Sequence, residues 1–184
     1  MTVRETTIPG VLLIEPAVHG DARGFFVETF QTERYAEAGL PATWAQLNHS
    51  RSRKHTVRGL HTQVRRPQGK LVRVARGAIH DVVLDLRPGS PTFGEWEAHD
   101  LDDESHRQLW VPPGLAHGFC VTSPTADVVY ACTSLYDPTD EGGVAWNDPD
   151  LGIAWPTTDP LVSDKDRALP RLRDLRPDDL PRVV

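Results

Sequence analysis

The sequence predicts a mainly β fold, a sandwich, jelly roll or barrel made of many short strands. Apolar residues come in brief bursts rich in β-branched side chains instead of long helical periods. Turn signals separate the bursts, drawn from 16 prolines and 14 glycines in 184 residues. That length is enough to bury a substantial core without disulfides or metals, so a single domain over residues 1–184 is expected.

Taken in order, the strand-like bursts are Val11-Leu12-Leu13-Ile14, Gly24-Phe25-Phe26-Val27, Leu71-Val72-Arg73-Val74, Ala78 to Leu86, Leu109-Trp110-Val111, Phe119-Cys120-Val121 and Val128-Val129-Tyr130. Pro9-Gly10, Pro67-Gln68-Gly69, Arg87-Pro88-Gly89-Ser90-Pro91 and Pro112-Pro113-Gly114 are the turns between them. One short helix is expected from Gln31 to Ala38, ended by Gly39 with Pro41 beyond, and closing one end of the barrel. Alternation in Ala78 to Arg87 puts His80, Val82, Leu84 and Leu86 on a core face, with Ile79, Asp81, Val83 and Asp85 opposite; His80 then reads as a structural histidine. The same counting groups Gly59, His61 and Gln63, then Lys70, Val72 and Val74, then Tyr130, Cys132, Ser134 and Tyr136. The tail from Asp159 is charged and proline-punctuated, with Ser163 to Arg167 a turn or short helix.

A net charge of −6 argues against general nucleic-acid binding, which rests on an excess of Lys and Arg to neutralise phosphates. Cys120 and Cys132 fit no common zinc or redox spacing and read as buried free thiols. No cationic leader precedes an apolar stretch, and no run of about eighteen apolar residues occurs. A cytoplasmic protein that does not engage membranes is expected.

Chemistry is concentrated in Arg58-Gly59-Leu60-His61-Thr62-Gln63 and Gln68-Gly69-Lys70, which set a base and a cation among residues that otherwise read as buried strand. Pro112-Pro113-Gly114-Leu115-Ala116-His117 has the Pro-x-Gly-x-x-His form of the second motif of cupin barrels, where a tight turn delivers a histidine to the barrel mouth. Metal-binding cupins carry two histidines one residue apart in their first motif. The equivalent place here reads His61-Thr62-Gln63, and threonine and glutamine are poor ligands for a transition ion. A cupin-type double-stranded β-helix with no metal, no cofactor and an organic acid–base mechanism fits these residues best.

The chain resembles the dTDP-4-dehydrorhamnose 3,5-epimerase family over nearly its whole length. The resemblance runs in order through Asp21 to Phe30, Asn48-His49-Ser50, Val57 to Gln63, Gln68 to Val72, Asp81 to Arg87, Val111 to Phe119, Trp146-Asn147-Asp148-Pro149 and Ser163-Asp164-Lys165-Asp166-Arg167. It implies epimerisation of a dTDP-4-keto-6-deoxyhexose at carbon 3, carbon 5 or both, in deoxysugar biosynthesis. Protons on those carbons are acidic because their loss gives an enolate shared with the keto group, so the reaction needs a base, an oxyanion stabiliser and an acid. The resemblance assigns His61 as base paired with Asp166, Lys70 near the developing oxyanion and Tyr130 as acid. A neutral histidine, with an ordinary pKa of about 6.5, can take a proton at cellular pH, and a carboxylate neighbour favours the imidazolium.

For substrate binding the resemblance implies Arg23, Arg58 and Arg167 at phosphate or sugar oxygens, where the guanidinium fork suits phosphate. It further implies Gln46, Asn48, Glu28 and Phe26 along the nucleotide or sugar, with His117 and Tyr136 in the pocket. Strict alternation turns Arg58 away from His61, so the regular strand is expected to begin after Arg58. Ala131 and Leu135 depart from the lysine and tyrosine common in the family, which points to a specialised branch making a sugar other than rhamnose, and because relatives in such branches epimerise carbon 3 alone or carbon 5 alone, the regiochemistry stays open. The family also implies a homodimer in which N-terminal strands extend the neighbour's sheet, so that Arg23, Phe26 and Glu28 serve the other chain's site. The competing readings are a sugar-nucleotide 3,4-ketoisomerase, a non-catalytic sugar-nucleotide-binding cupin and a metal-dependent dioxygenase.

Overall fold

The short apolar bursts pair into sheets in the computed structural model, which describes residues 1–182. Thirteen strands form: β1 (Thr2–Glu5), β2 (Leu12–Glu15), β3 (Val18–Asp21), β4 (Gly24–Val27), β5 (Gln46–Arg53), β6 (Val57–Gln63), β7 (Lys70–Arg76), β8 (Ala78–Asp85), β9 (Trp96–Asp102), β10 (Gln108–Val111), β11 (Leu115–Val121), β12 (Thr125–Cys132) and β13 (Glu141–Gly143). A six-stranded sheet runs β1-β2-β10-β7-β12-β5 and a five-stranded sheet β13-β6-β11-β8-β9, all antiparallel within each sheet. β3 and β4 make a separate hairpin. This is the expected jelly-roll barrel.

Alternation sorts each strand's residues between two environments. Val72, Val74, Leu109, Val111 and Val128 of the larger sheet meet Ile79, Val83, Leu115, Phe119 and Val121 of the smaller one, and fill the barrel. The backs of both sheets are also covered. Leu60, Val82, Leu84, Leu86 and Ala116 pack under Leu151, Ile153, Trp155, Leu172 and Leu175 of the C-terminal segment. Burial on both faces turns central strands into nearly continuous apolar runs, as in Ala78 to Leu86, interrupted by His80, Asp81 and Asp85.

Three expectations are corrected. The helix, α1 (Thr32–Glu37), is capped by the Gln31 side chain and followed by Gly39 at φ +85°, as its sequence requires. It does not close the barrel; Tyr35 packs with Ile14, Leu71 and Trp110 on the outer face of the larger sheet. In β8 both faces are buried, and the barrel interior belongs to the face with Ile79, Asp81 and Val83. His80 lies outside that interior and bonds the exposed Asp100 at 2.8 Å.

The third correction concerns Arg58, which lies inside β6. The pairing of β6 with β11 slips between His117 and Phe119, and this irregularity returns Arg58 to the face of His61. Glycine is required on both sides of the slip. Gly59 has φ +107°, and a Cβ there would come within 2.7 Å of the Gly118 Cα and the His117 carbonyl oxygen; a Cβ on Gly118 would meet the Arg58 carbonyl oxygen at 2.5 Å.

Candidate active site

One end of the barrel interior is polar because β5, β6, β7, β11 and β12 each turn ionisable or amide side chains inward there. The resulting cavity has a volume of about 310 Å³. Of the residues singled out from sequence, His61, Lys70, Tyr130, Gln46, Asn48, Arg58, His117 and Tyr136 line it.

His61 is the centre of the arrangement. The chain folds back so that Leu161 pairs with Thr56 and Val57, and this delivers the short helix α2 (Asp164–Arg167) beside β6. The Ser163 hydroxyl accepts from the Asp166 amide at 3.1 Å and starts the helix. Asp166, whose side chain is 5% exposed, then meets His61 Nε2 through Oδ1 at 2.7 Å and accepts from the Gly59 amide at 3.2 Å. Burial alone would raise the Asp166 pKa, but the His61 bond and charge and the Gly59 amide outweigh it and hold the carboxyl below its usual value. An ionised Asp166 fixes the imidazole and leaves Nδ1 free to take a proton.

Lys70 begins β7 and points into the barrel, buried, with Nζ 3.4 Å from the His61 carbonyl oxygen. Burial pulls its pKa down, opposed by the negative charge of neighbours that include Asp81 and Glu141. Tyr130 is half-buried on β12, and burial pushes its hydroxyl pKa up, which keeps the proton on the oxygen at neutral pH. No hydrogen bond to that hydroxyl is present among the described residues. Gln46 and Asn48 are joined at 2.8 Å, and Gln46 Oε1 also accepts from the Tyr136 amide at 2.9 Å, tying the far wall together.

Several groups escape the sequence reading. Glu141 on β13 accepts from the Tyr136 hydroxyl at 2.6 Å and pairs with Lys165, bridging the cavity mouth. Burial raises the Glu141 pKa, and the bonds to Lys165 and Tyr136 overcome it, so the net direction is down. The Ser50 hydroxyl lines the cavity, buried and without a partner among the described residues. Asp81, fully buried on β8, holds His117 Nε2 at 3.0 and 2.9 Å. Lys165 sits inside the Ser163 to Arg167 segment, Asp81 beside the alternating face of β8 and Ser50 in the Asn48-His49-Ser50 match, so all three were on view in the sequence; Glu141 carries no local signal.

Other selected residues lie apart. Arg167 is beside the cavity, around an adjoining groove of about 300 Å³ shared with Arg53 and Arg58. Arg23, Phe26 and Glu28 belong to the β3–β4 hairpin or follow it, outside the cavity of their own chain. Arg23 pairs with Asp21 and Glu28 with Arg34, while Phe26 is 69% exposed. Among the described residues no cluster of three or more His, Cys, Asp or Glu side chains is arranged to hold a metal ion, and no helix is long and apolar enough to cross a membrane.

A histidine bonded to a buried carboxylate, a buried amine and a tyrosine around one cavity in a jelly-roll barrel are groups of the kind an acid–base enzyme uses to move protons next to a carbonyl. The dTDP-4-dehydrorhamnose 3,5-epimerase family model matches residues 5–174, and the chain belongs to that family of isomerases. It is 49% identical over 169 residues to the dTDP-4-dehydrorhamnose 3,5-epimerase of Pseudomonas aeruginosa, covering 91% of this chain and 93% of the relative. A dTDP-4-dehydrorhamnose 3-epimerase of Streptomyces niveus is 45% identical, covering 91% and 82%. A longer relative from Neisseria gonorrhoeae is also 49% identical, and the chain spans 52% of its length. Among solved structures, the dTDP-6-deoxy-D-glucose-3,5-epimerase of Legionella pneumophila in complex with dTDP-4-keto-L-rhamnose superposes with a TM-score of 0.95 at 44% identity, covering 100% of this chain and 98% of that one. The fold is therefore of the cupin type expected.

Proposed function

We propose that this protein epimerises a dTDP-linked 4-keto-6-deoxyhexose at carbon 3, carbon 5 or both, in the cytoplasm, using side chains alone. The observation that carries the proposal is the 2.7 Å bond between His61 and Asp166, 105 positions apart in sequence, at the wall of a cavity that also contains Lys70 and Tyr130. His61 takes the proton beside the keto group through Nδ1, and Asp166 steadies the imidazolium that forms. The Lys70 ammonium lies where negative charge grows on the keto oxygen, in a setting with little water to weaken it. Tyr130 returns a proton from its own side, and a proton removed on one face and returned on the other inverts the carbon.

Arg58 and Arg167 hold the diphosphate at the adjoining groove, and Gln46, Asn48, His117 and Tyr136 fix the sugar and base. Arg23, Phe26 and Glu28 serve the site of a second copy in a homodimer, each subunit acting as one catalytic domain; their position outside their own chain's cavity supports this division. Light scattering at micromolar concentration is expected to give the dimer mass, and a monomer would overturn the exchanged arrangement.

The decisive experiment is NMR of dTDP-4-keto-6-deoxyglucose incubated with the protein in D₂O. Deuterium at carbon 3, carbon 5 or both, with inversion at the labelled carbon, is the expected result. Binding without exchange at either carbon would overturn the enzymatic reading and leave a sugar-nucleotide-binding cupin.

A further inference from the structure

Two histidines face the cavity from adjacent strands, and each brings its Nε2 to a buried carboxylate. His61 on β6 is bonded to Asp166, and its cross-strand partner His117 on β11 is bonded to both oxygens of Asp81 on β8. Asp81 is 0% exposed, and His117 is its one hydrogen-bond partner among the described residues. A carboxylate in that position is costly for stability alone, since its neighbours on the same strand face, Ile79 and Val83, are apolar and pack the barrel.

We propose that Asp81 is a positioning residue of the reaction: it fixes the proton of His117 on Nε2 and locks the ring at the cavity, as Asp166 does for His61. This rests on the epimerase reading above, in which His117 contacts the sugar. An imidazole has two ring nitrogens, and a carboxylate acceptor on Nε2 decides which of them carries the proton. Nδ1 is then the ring's one free polar atom, and it meets the substrate in a single tautomer. Without Asp81 the ring can rotate or exchange tautomers, so the sugar oxygen it contacts would be held in a mixture of ways. Asp81 is also among the negative groups near Lys70, which faces Asp81, Cys132 and Glu141 as well as the His61 carbonyl.

The test is Asp81→Asn, alone and combined with His117→Ala, assayed by deuterium exchange and turnover of the 4-keto sugar nucleotide. The asparagine matches the carboxylate in shape but turns an amide donor toward Nε2, favouring the wrong tautomer. Expected is a loss in kcat of about tenfold or more with KM and dTDP affinity held within about threefold, and a further loss of less than about twofold when the substitution is made in the His117→Ala background. Activity of Asp81→Asn within about twofold of the unsubstituted protein would overturn the proposal, as would a full, additive loss in the His117→Ala background.

A second measurement needs no variant. In ¹⁵N-histidine NMR of the unsubstituted protein, His117 is expected as the Nε2–H tautomer, and an Nδ1–H tautomer would overturn the proposal. Failure of the unsubstituted protein to exchange substrate protons would instead strike the epimerase reading, with the tautomer still reporting on Asp81.

Discussion

Replacing Asp166 with asparagine tests the site most directly, because it removes one charge and almost no volume. In the folded protein Asp166 Oδ1 lies 2.7 Å from His61 Nε2, while Oδ2 accepts from the Gly59 amide. An asparagine that keeps the Gly59 bond through its oxygen must aim its NH₂ at Nε2. Two donors cannot share that bond, so His61 moves its proton to Nδ1, the nitrogen proposed above as the base. A hydrogen bond to a charged group contributes about 1.5–3 kcal/mol, which at about 1.4 kcal/mol per decade is roughly a 10- to 150-fold loss in rate. Forcing the wrong tautomer in a serine protease triad costs about 10⁴-fold, which sets the upper end. The expected result is a fall in kcat between about 10 and 10⁴, with dTDP affinity within about threefold because the substitution leaves Arg58 and Arg167 and their charges in place. Stopped-flow deuterium exchange at the substrate carbons and calorimetry with dTDP measure the two quantities. Activity within fivefold of the unsubstituted protein, roughly 1 kcal/mol by the same conversion, would refute the assignment of His61 and Asp166 as a working pair.

Three further outcomes are expected. Lys70→Met should lower kcat by about 10²–10³, the cost of losing an oxyanion donor, while thermal stability holds or rises because a buried amine is replaced by an apolar chain of similar length; retained turnover with a lower melting temperature would reverse that reasoning. Tyr130→Phe should slow formation of inverted product more than loss of substrate protons to D₂O, and absence of all exchange would move Tyr130 to another role. Glu97 accepts from Thr6, Thr7 and Ile8 and bonds His99, so although burial raises its pKa, these partners bring it from the ordinary 4.5 down to about 2. That contribution, roughly 3 kcal/mol as an upper figure, is present above the unfolded carboxyl pKa and is lost as pH falls through the folded one. Glu97→Gln should therefore be less stable than the parent at pH 7 in urea melts, with the gap closing between about pH 4.5 and pH 2; a constant gap would show that the charge is not its source.

The central strands were legible in the sequence because burial on both faces leaves nearly continuous apolar runs, as in β8. The edge strands were not. β5 reads Gln-Leu-Asn-His-Ser-Arg-Ser-Arg because its inner face lines a polar cavity and its outer face meets solvent, so neither period nor composition marks it as a strand. β9 is hidden in the same way by its mix of charged and half-buried positions. His61, Lys70 and Tyr130 could be found through motif order, but Asp81 and Glu141 owe their importance to partners 36 and 24 positions away, a relation that exists only in three dimensions. Arg58 defeated strict alternation because the slip opposite Gly118 is specified by close backbone contact, which leaves only two glycines as a trace.

The return of the chain at Leu161 has a consequence for how activity arises. His61 is in place once β6 and β11 pair, yet its carboxylate arrives on a segment that must dock against the outside of the smaller sheet. A chain with a complete barrel and an undocked tail would lose Asp166 from His61 and Arg167 from the adjoining groove together. One docked segment thus ties the His61 pair to the neighbouring groove, and a destabilised tail would disturb both at once.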